Sequence, residues 1–430
     1  MTRTPRAFLE GLYRTAVAAA HPSGCLTPHL PPPPPSGRLI VLAAGKAAGA
    51  MTETAEGYYL DRCGLRADRI VGIAVTRPGY ARPTRIVRLV EGGHPVPDEA
   101  GLAATLDTLA LADGAGEGDL VLALVSGGAS ANWIAPSPGI SLSEKQTVTR
   151  SLLASGAAIG EMNTLRKHLS RIKGGRLAQR AYPARVVTVA ISDVPGDDPA
   201  VIGSGPTVPD PTTLADARAI VERYRLGVPP SVVRALADPA NETPKPGDPV
   251  FAATSFALAT RPSEVFAAAE AVVRAAGYDC VQLGTALEGE AREVAAAHAR
   301  TAQELRAAGR RAVILSGGEL TVTLRGQGRG GPNQEYALAL AIALDGTPGM
   351  AVLAADTDGT DGGGGRVEDP AGAFVDQTTA GRARRLGLDP AAFLADNNST
   401  EFFEKLGDTL APGPTYTNVN DFRAILVDSP

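Results

Sequence analysis

The 430 residues carry a formal net charge of −5, are 44% hydrophobic and 20% charged, and contain only 4% aromatics. That balance excludes a mainly disordered chain, a general affinity for nucleic acid or anionic membranes, and an aromatic platform for stacked bases. Three scattered cysteines (Cys25, Cys63, Cys280) and five unclustered histidines argue against a disulfide framework and a zinc site, and predict a reducing, cytoplasmic setting.

In chain order, the first predicted element is an amphipathic helix carrying Phe8, Leu9, Leu12 and Ala16 on or near one face. Arg3, Arg6, Glu10 and Arg14 interrupt the apolar core that a signal peptide needs, and no apolar stretch reaches the ~18–20 residues of a membrane span. Residues 31–35 are all proline and predict an extended spacer. Strands are expected at 39–44, 70–75, 84–90, 120–125 and 186–191. Helices are expected at 105–112, at 143–161 with a Ser143–Gln146 capping pattern, and at 164–179 with an interruption near Gly174–Gly175. This βαβ series predicts an α/β protein of two three-layer α/β domains, the first Rossmann-like with a mostly parallel sheet. Prolines thicken between Tyr224 and Ala252, which places the domains at 1–240 and 250–430. The second domain is expected to hold helices at 262–276 and 289–308, strands at 279–283 and 312–317, a hairpin partner at 319–324, and closing strands at 351–355 and 424–427.

Five of the apolar runs end in glycine-rich or acidic loops. Ligands of open parallel sheets bind beyond the carboxyl ends of such strands, where glycine lets backbone N–H groups approach an oxyanion. Gly45-Lys46-Ala47-Ala48-Gly49 opens a helix, so its N-terminus and the Lys46 ammonium could face an anion. Only six of the 41 cationic side chains are lysines, which draws attention to this one. The loop matches neither GxxxxGK[ST] nor GxGxxG. Ser126-Gly127-Gly128-Ala129-Ser130 is a better anion cradle, with two glycines and two hydroxyls after an uninterrupted apolar run.

Asp193, Asp197 and Asp198 flank Pro195-Gly196, and hard oxygen ligands at a turn suit Mg²⁺. Gly203-Ser204-Gly205 adds a second small, hydroxyl-bearing loop. Residues 325–335 form a basic, glycine-rich segment whose Arg329 could grip a carboxylate or phosphate. Asp356, Asp358 and Asp361 give a second acidic group, read as a metal or hydroxyl-orienting site rather than an EF-hand, because the twelfth-position glutamate is missing. Together these loops point to an enzyme handling a small, anionic ligand.

Taken with Glu91-Gly92-Gly93-His94-Pro95, Ile172-Lys173-Gly174-Gly175-Arg176, Gly330-Gly331-Pro332-Asn333-Gln334-Glu335, Thr357-Asp358-Gly359-Thr360-Asp361-Gly362 and Thr417-Asn418-Val419-Asn420-Asp421, the motifs resemble the glycerate 2-kinase family, whose C-terminal half is the MOFRL domain. The resemblance runs over nearly the whole chain. It implies ATP-dependent phosphorylation of D-glycerate at its 2-hydroxyl, with Mg²⁺ and an active site in the interdomain cleft. It further implies catalytic roles for Lys46 and Arg329, to which phosphoryl-transfer chemistry adds Asp193. Gly45, Ser126, Gly127, Gly128, Ser130, Ser204, Gly205, Glu319 and Asn333 would bind substrate or nucleotide, and Asp193, Asp197 and Asp198 would meet the metal. Three features depart from the family pattern and bear on substrate fit: Ala129 in place of a glycine, the glycine run 362–365, and Tyr416. Expected partners are the small-molecule substrate and the nucleotide, with no nucleic acid and no membrane; the oligomeric state, a homo-oligomer included, stays open. The alternative is an NAD(P)H-dependent hydroxypyruvate reductase, against which the missing dinucleotide fingerprint speaks.

Overall fold

A run such as Leu-Ile-Val-Leu-Ala-Ala has no polar face, so as a strand it needs cover on both sides. In the computed structural model, which describes residues 4–362 and 366–428, this run is β1 (Leu39–Ala44), and every residue of it is buried. Of the glycine run at 362–365, the last three residues lie outside those described. β2 (Ile70–Thr76), β3 (Arg88–Glu91), β4 (Leu120–Val125), β5 (Arg185–Ile191) and β6 (Thr254–Thr260) complete a six-stranded sheet ordered β3-β2-β1-β4-β5-β6. β1 pairs in parallel with β2 and β4, and the β2–β3 and β4–β5 pairs are parallel as well. Ala104, Leu109 and Ala112 of the helix Glu99–Asp113 share one core with Ile40, Leu42 and Ile73. Each fully buried large aliphatic there contributes about 1.5–3 kcal/mol.

The second sheet is built differently. β7 (Asp279–Gln282), β8 (Ala312–Gly318), β9 (Met350–Asp356), β10 (Gly372–Asp376), β11 (Thr409–Leu410) and β12 (Asp421–Val427) lie in the order β11-β10-β9-β12-β8-β7. Only β7–β8 is parallel; the other pairs are antiparallel. The hairpin partner expected at 319–324 does not form. Thr321 makes a single bridge to Glu290, and the edge of β8 that a hairpin would have used is taken by β12, in register from Asp421↔Gly318 to Val427↔Ala312. The helix Pro332–Leu344 is apolar around most of its circumference and accordingly runs through the core of this layer.

The chain divides into two compact units, one of residues Cys25–Ala259, the other joining the N-terminal segment through Gly24 to the chain from Thr260 onward. The helix Pro5–Ala20 belongs to the second unit for a physical reason. Its Leu9, Leu12, Tyr13 and Ala16 are buried, the Tyr13 hydroxyl donates to the Asp356 carbonyl at 2.9 Å, and Thr417 Oγ1 donates to the Ala20 carbonyl at 2.7 Å. Among the described residues no helix is long and apolar enough to cross a membrane.

Candidate active site

The strand order of the first sheet decides where a ligand can sit. From β1 the chain runs outward to β2 and β3, then returns to β4 on the other side. The loops after β1 and β4 therefore diverge, and an open α/β sheet has its crevice at that switch point. The loop after β1 is Gly45-Lys46-Ala47 and the loop after β4 is Ser126-Gly127-Gly128, so the topology brings two sequence-predicted motifs together.

Backbone donors of the first loop join it to the second and close its own turn. Lys46 N donates to the Gly127 carbonyl at 2.8 Å, and Ala48 N to the Gly45 carbonyl at 3.0 Å. Ala47 N donates to Ser126 Oγ at 3.0 Å. Gly45 is what permits this approach. Its φ is +117°, and a Cβ there would lie 2.3 Å from Ser126 Oγ. The amides of Lys46, Ala47 and Ala48 thus have acceptors already, and an anion would meet the Lys46 side chain rather than a nest of these N–H groups. The second loop is the reverse case. Among the described residues no acceptor takes the N–H of Gly127 or Gly128, so both can donate to an oxyanion. A Cβ on Gly128 would lie 3.3 Å from Lys46 Cγ and 2.9 Å from His94 Nε2. Two open amides, a lysine stem and an imidazole therefore converge within a few ångströms.

Beyond Gly128 the short helix Ala129–Asn132 carries Ser130, whose hydroxyl shares a 2.8 Å hydrogen bond with Ser204 Oγ. The Ala129 methyl is buried, 3.4 Å from where a Cβ on Gly203 would sit. Gly205 holds the neighbouring turn in the left-handed region at φ +61°. Lys173 comes up underneath and donates to the carbonyls of Ser130 at 2.7 Å and Trp133 at 2.9 Å. Asp193 and Asp197 are half-buried in the loop after β5. Asp198 is exposed, and its Oδ1 accepts from Ala200 N at 2.8 Å, a turn-forming role. Among the described residues no group of three His, Cys, Asp or Glu side chains is arranged to hold a metal ion.

In the other unit, Arg329 is exposed and its guanidinium donates to Glu404 Oε2 at 2.8 Å. Glu319 follows β8 directly and is exposed. Asn333 is fully buried, and its Nδ2 bridges Asp361 Oδ1 at 3.2 Å and Asp421 Oδ1 at 2.6 Å. The acidic group read as a metal or hydroxyl-orienting site has local structural work instead. Asp356 Oδ1 accepts from Asp358 N, and Asp358 Oδ1 from Thr360 N. The Asp361 carboxylate caps the helix Pro332–Leu344, accepting from Asn333 N at 3.0 Å and Gln334 N at 2.8 Å.

Burial, then the neighbouring Asp421 charge, push the Asp361 carboxyl up to about 7, against the helix amides that favour its ionised form. The folded state therefore holds a proton that the unfolded state releases near pH 4. This contribution is full below that pH and lost as pH rises through about 7. We expect the stability difference between wild type and Asp361→Asn to shrink from pH 5 to pH 7, by at most about 1.4 kcal/mol per pH unit. Urea unfolding at several pH values checks it; a pH-independent difference would refute the assignment.

Sequence reasoning gave no role to His94, Lys145, Arg166 or Lys173, although His94 and Lys173 lie in motifs it quoted. For the lysines a signal was present, namely their rarity in an arginine-rich chain.

Residues 8–237 match a family model described as a domain of unknown function, and residues 312–421 match the MOFRL family. A protein of Agrobacterium vitis provisionally named a hydroxypyruvate reductase is 47% identical over 98% of this chain and 94% of its own length. The D-glycerate 2-kinase of Thermotoga maritima is 40% identical over 89% of each chain. The crystal structure of the glycerate kinase from Thermotoga maritima superposes with a TM-score of 0.84, at 38% identity and 98% coverage of both chains.

Proposed function

The chain belongs to the glycerate 2-kinase family, and we propose that it transfers the γ-phosphoryl group of ATP to the 2-hydroxyl of D-glycerate, giving 2-phosphoglycerate and ADP. The observation that carries this reading is the convergence of Lys46 with the open amides of Gly127 and Gly128 at the switch point of the first sheet. Phosphoryl transfer asks a protein for alignment and for positive charge on the equatorial oxygens of the moving group. The Lys46 ammonium supplies charge and the two N–H groups supply directed donors. The hydrogen-bonded hydroxyls of Ser130 and Ser204 follow the cradle and would serve the substrate's oxygens.

Arg329, in the other unit, would serve as a phosphate ligand by exchanging its exposed Glu404 partner; an exposed pair of this kind is worth little and breaks readily. The nucleotide would enter as its magnesium complex, a substrate whose ion is held mainly by phosphate oxygens and water. The carboxylates after β5 do not form a resident metal cage, so no step is assigned to one. Asp193 and Asp197 would be the carboxylates to touch such water or the reacting hydroxyl, since Asp198 is engaged by its turn.

The name of the Agrobacterium vitis relative, and the strand order that dinucleotide-binding folds share, favour a second reading as a hydroxypyruvate reductase. Against it, the loop after β1 lacks GxGxxG, and its amides from Lys46 to Ala48 are already used. Two parallel assays separate the readings: D-glycerate-dependent release of ADP, and hydroxypyruvate-dependent oxidation of NADH or NADPH. Saturable ADP release with no pyridine-nucleotide turnover is expected. The opposite pattern would transfer the site to the reductase.

A further inference from the structure

Three cations of the first unit lie close enough for their charges to act on one another, and among the described residues no carboxylate pairs with any of them. Lys145, on the helix Leu142–Ala154, is 4% exposed, and Lys173 is 2% exposed. Arg166, on the helix Ile159–His168, is half-buried. Lys145 Nζ donates to the Arg166 carbonyl at 3.2 Å, and Lys173 Nζ to the carbonyls of Ser130 and Trp133. A lysine has three N–H donors and an arginine five. Lys145 therefore keeps two in hand and Lys173 one. Among the described residues no acceptor takes any from the Arg166 side chain.

No carboxylate pairs with any of the three among the described residues. Two acidic side chains of the surrounding segments have other partners: Asp210 pairs with Lys167 at 3.4 Å, and Glu144 accepts from Ser231 at 2.6 Å and from the cap at Ser141. The three charges also act on one another. Burial, then Lys173 and Arg166, depress the Lys145 ammonium; burial, then Arg166, bring Lys173 down to about 7. Burying like charges together is costly unless an anion completes the group. Carbonyl capping accounts for Lys145 and Lys173 singly, but not for Arg166, and not for the choice of three cations at one place.

We propose that Lys145, Arg166 and Lys173 form an oxyanion-binding site adjoining the Gly127–Gly128 cradle, taking the carboxylate of the hydroxy-acid substrate or a phosphate of the nucleotide. The site and the cradle flank the same short helix: the cradle leads into its first residue, and Lys173 grips the carbonyls at its other end. This inference rests on the kinase reading for its choice of ligand, though not for the site itself.

Trp133 is the only tryptophan, and its carbonyl accepts from Lys173, so intrinsic fluorescence provides a probe beside the site. The experiment titrates wild type and Arg166→Gln separately with D-glycerate, ADP and inorganic phosphate, following fluorescence and thermal unfolding. Wild type should respond and gain unfolding temperature with at least one ligand. Arg166→Gln should bind that ligand about 10- to 100-fold more weakly, with Arg166→Lys recovering part of the loss. Without ligand, Arg166→Gln should unfold at the same or a higher temperature, since it relieves repulsion; a purely structural arginine would lower it. A response to D-glycerate identifies the carboxylate source, and a response to ADP or phosphate the phosphate source.

Equal affinity in Arg166→Gln and wild type overturns the proposal. If Arg166→Gln does not fold, Lys145→Met takes its place, and unchanged binding there is equally fatal. Normal glycerate phosphorylation with unchanged binding in these variants sinks the inference and leaves the kinase reading intact. Ligand binding lost on substitution, in a protein that does not phosphorylate glycerate, does the reverse.

Discussion

Replacing Lys46 with Met should lower turnover about 10²–10³-fold, the range expected when one preorganised electrostatic stabiliser is removed from a charged transition state. The fold should tolerate the change. Two backbone donors join the loops, Lys46 N to the Gly127 carbonyl and Ala47 N to Ser126 Oγ, and a methionine preserves both. The half-buried stem can be replaced by one of similar length, so unfolding should shift by no more than about 1 kcal/mol. Steady-state kinetics alongside urea unfolding separates the two effects. Near-normal turnover in a folded Lys46→Met variant would remove this side chain from the chemistry.

Gly45→Ala should do the opposite and damage the fold together with the site. At φ +117° an alanine sits outside the regions open to L-residues, and its Cβ would fall 2.3 Å from Ser126 Oγ and 2.5 Å from the Ser126 carbonyl. Backbone strain of about 1–3 kcal/mol and overpacking of a similar size add to a loss of about 2–6 kcal/mol. The two loops would also part, moving Lys46 away from the Gly127–Gly128 amides. Gly139→Ala is the control: its φ is +80°, but nothing lies within 4 Å of the new Cβ, so about 1 kcal/mol is expected there. Equal unfolding midpoints for the two variants would show that the close approach at Gly45 is not needed.

The strands of the first sheet were readable because runs such as Leu120–Val125 have no polar face and stop abruptly at small or acidic residues. Their order was not. That Gly45-Lys46 and Ser126-Gly127-Gly128 lie side by side follows from β1 pairing with β4 across some eighty intervening residues, a choice that local pattern does not encode. The same limit explains the misplaced hairpin at 319–324. Its apolar and β-branched residues suit a strand, but the position beside β8 goes to β12, about a hundred residues later and buried along its whole length. β6 escaped notice because its apolar run, Phe256-Ala257-Leu258-Ala259, is short, bounded by polar residues and follows directly on the proline-rich stretch taken as a boundary.

The helix expected at 143–161 is two. Leu142–Ala154 ends where Gly156 turns to φ +69°, and Ile159–His168 starts afresh. The Ser155-Gly156 pair was a readable stop. The cap is Ser141 with Glu144, while Gln146, assigned to the cap from its spacing, donates to the Pro97 carbonyl at 2.7 Å. That break puts Lys145 and Arg166 on two different helices, with Lys145 Nζ reaching across to the Arg166 carbonyl. The aspartates at 356, 358 and 361 show the converse error: oxygen-rich spacing suggested a ligand, whereas consecutive turns and a helix N-terminus claim most of that oxygen.

The most direct test of the central claim is a reaction of the purified protein with D-glycerate and Mg-ATP, the product identified by phosphorus NMR. The resonance of 2-phosphoglycerate is expected, growing in step with ADP and far more slowly in Lys46→Met. A 3-phosphoglycerate resonance would contradict the assigned hydroxyl, and the absence of any phosphorylated glycerate would contradict the kinase reading itself.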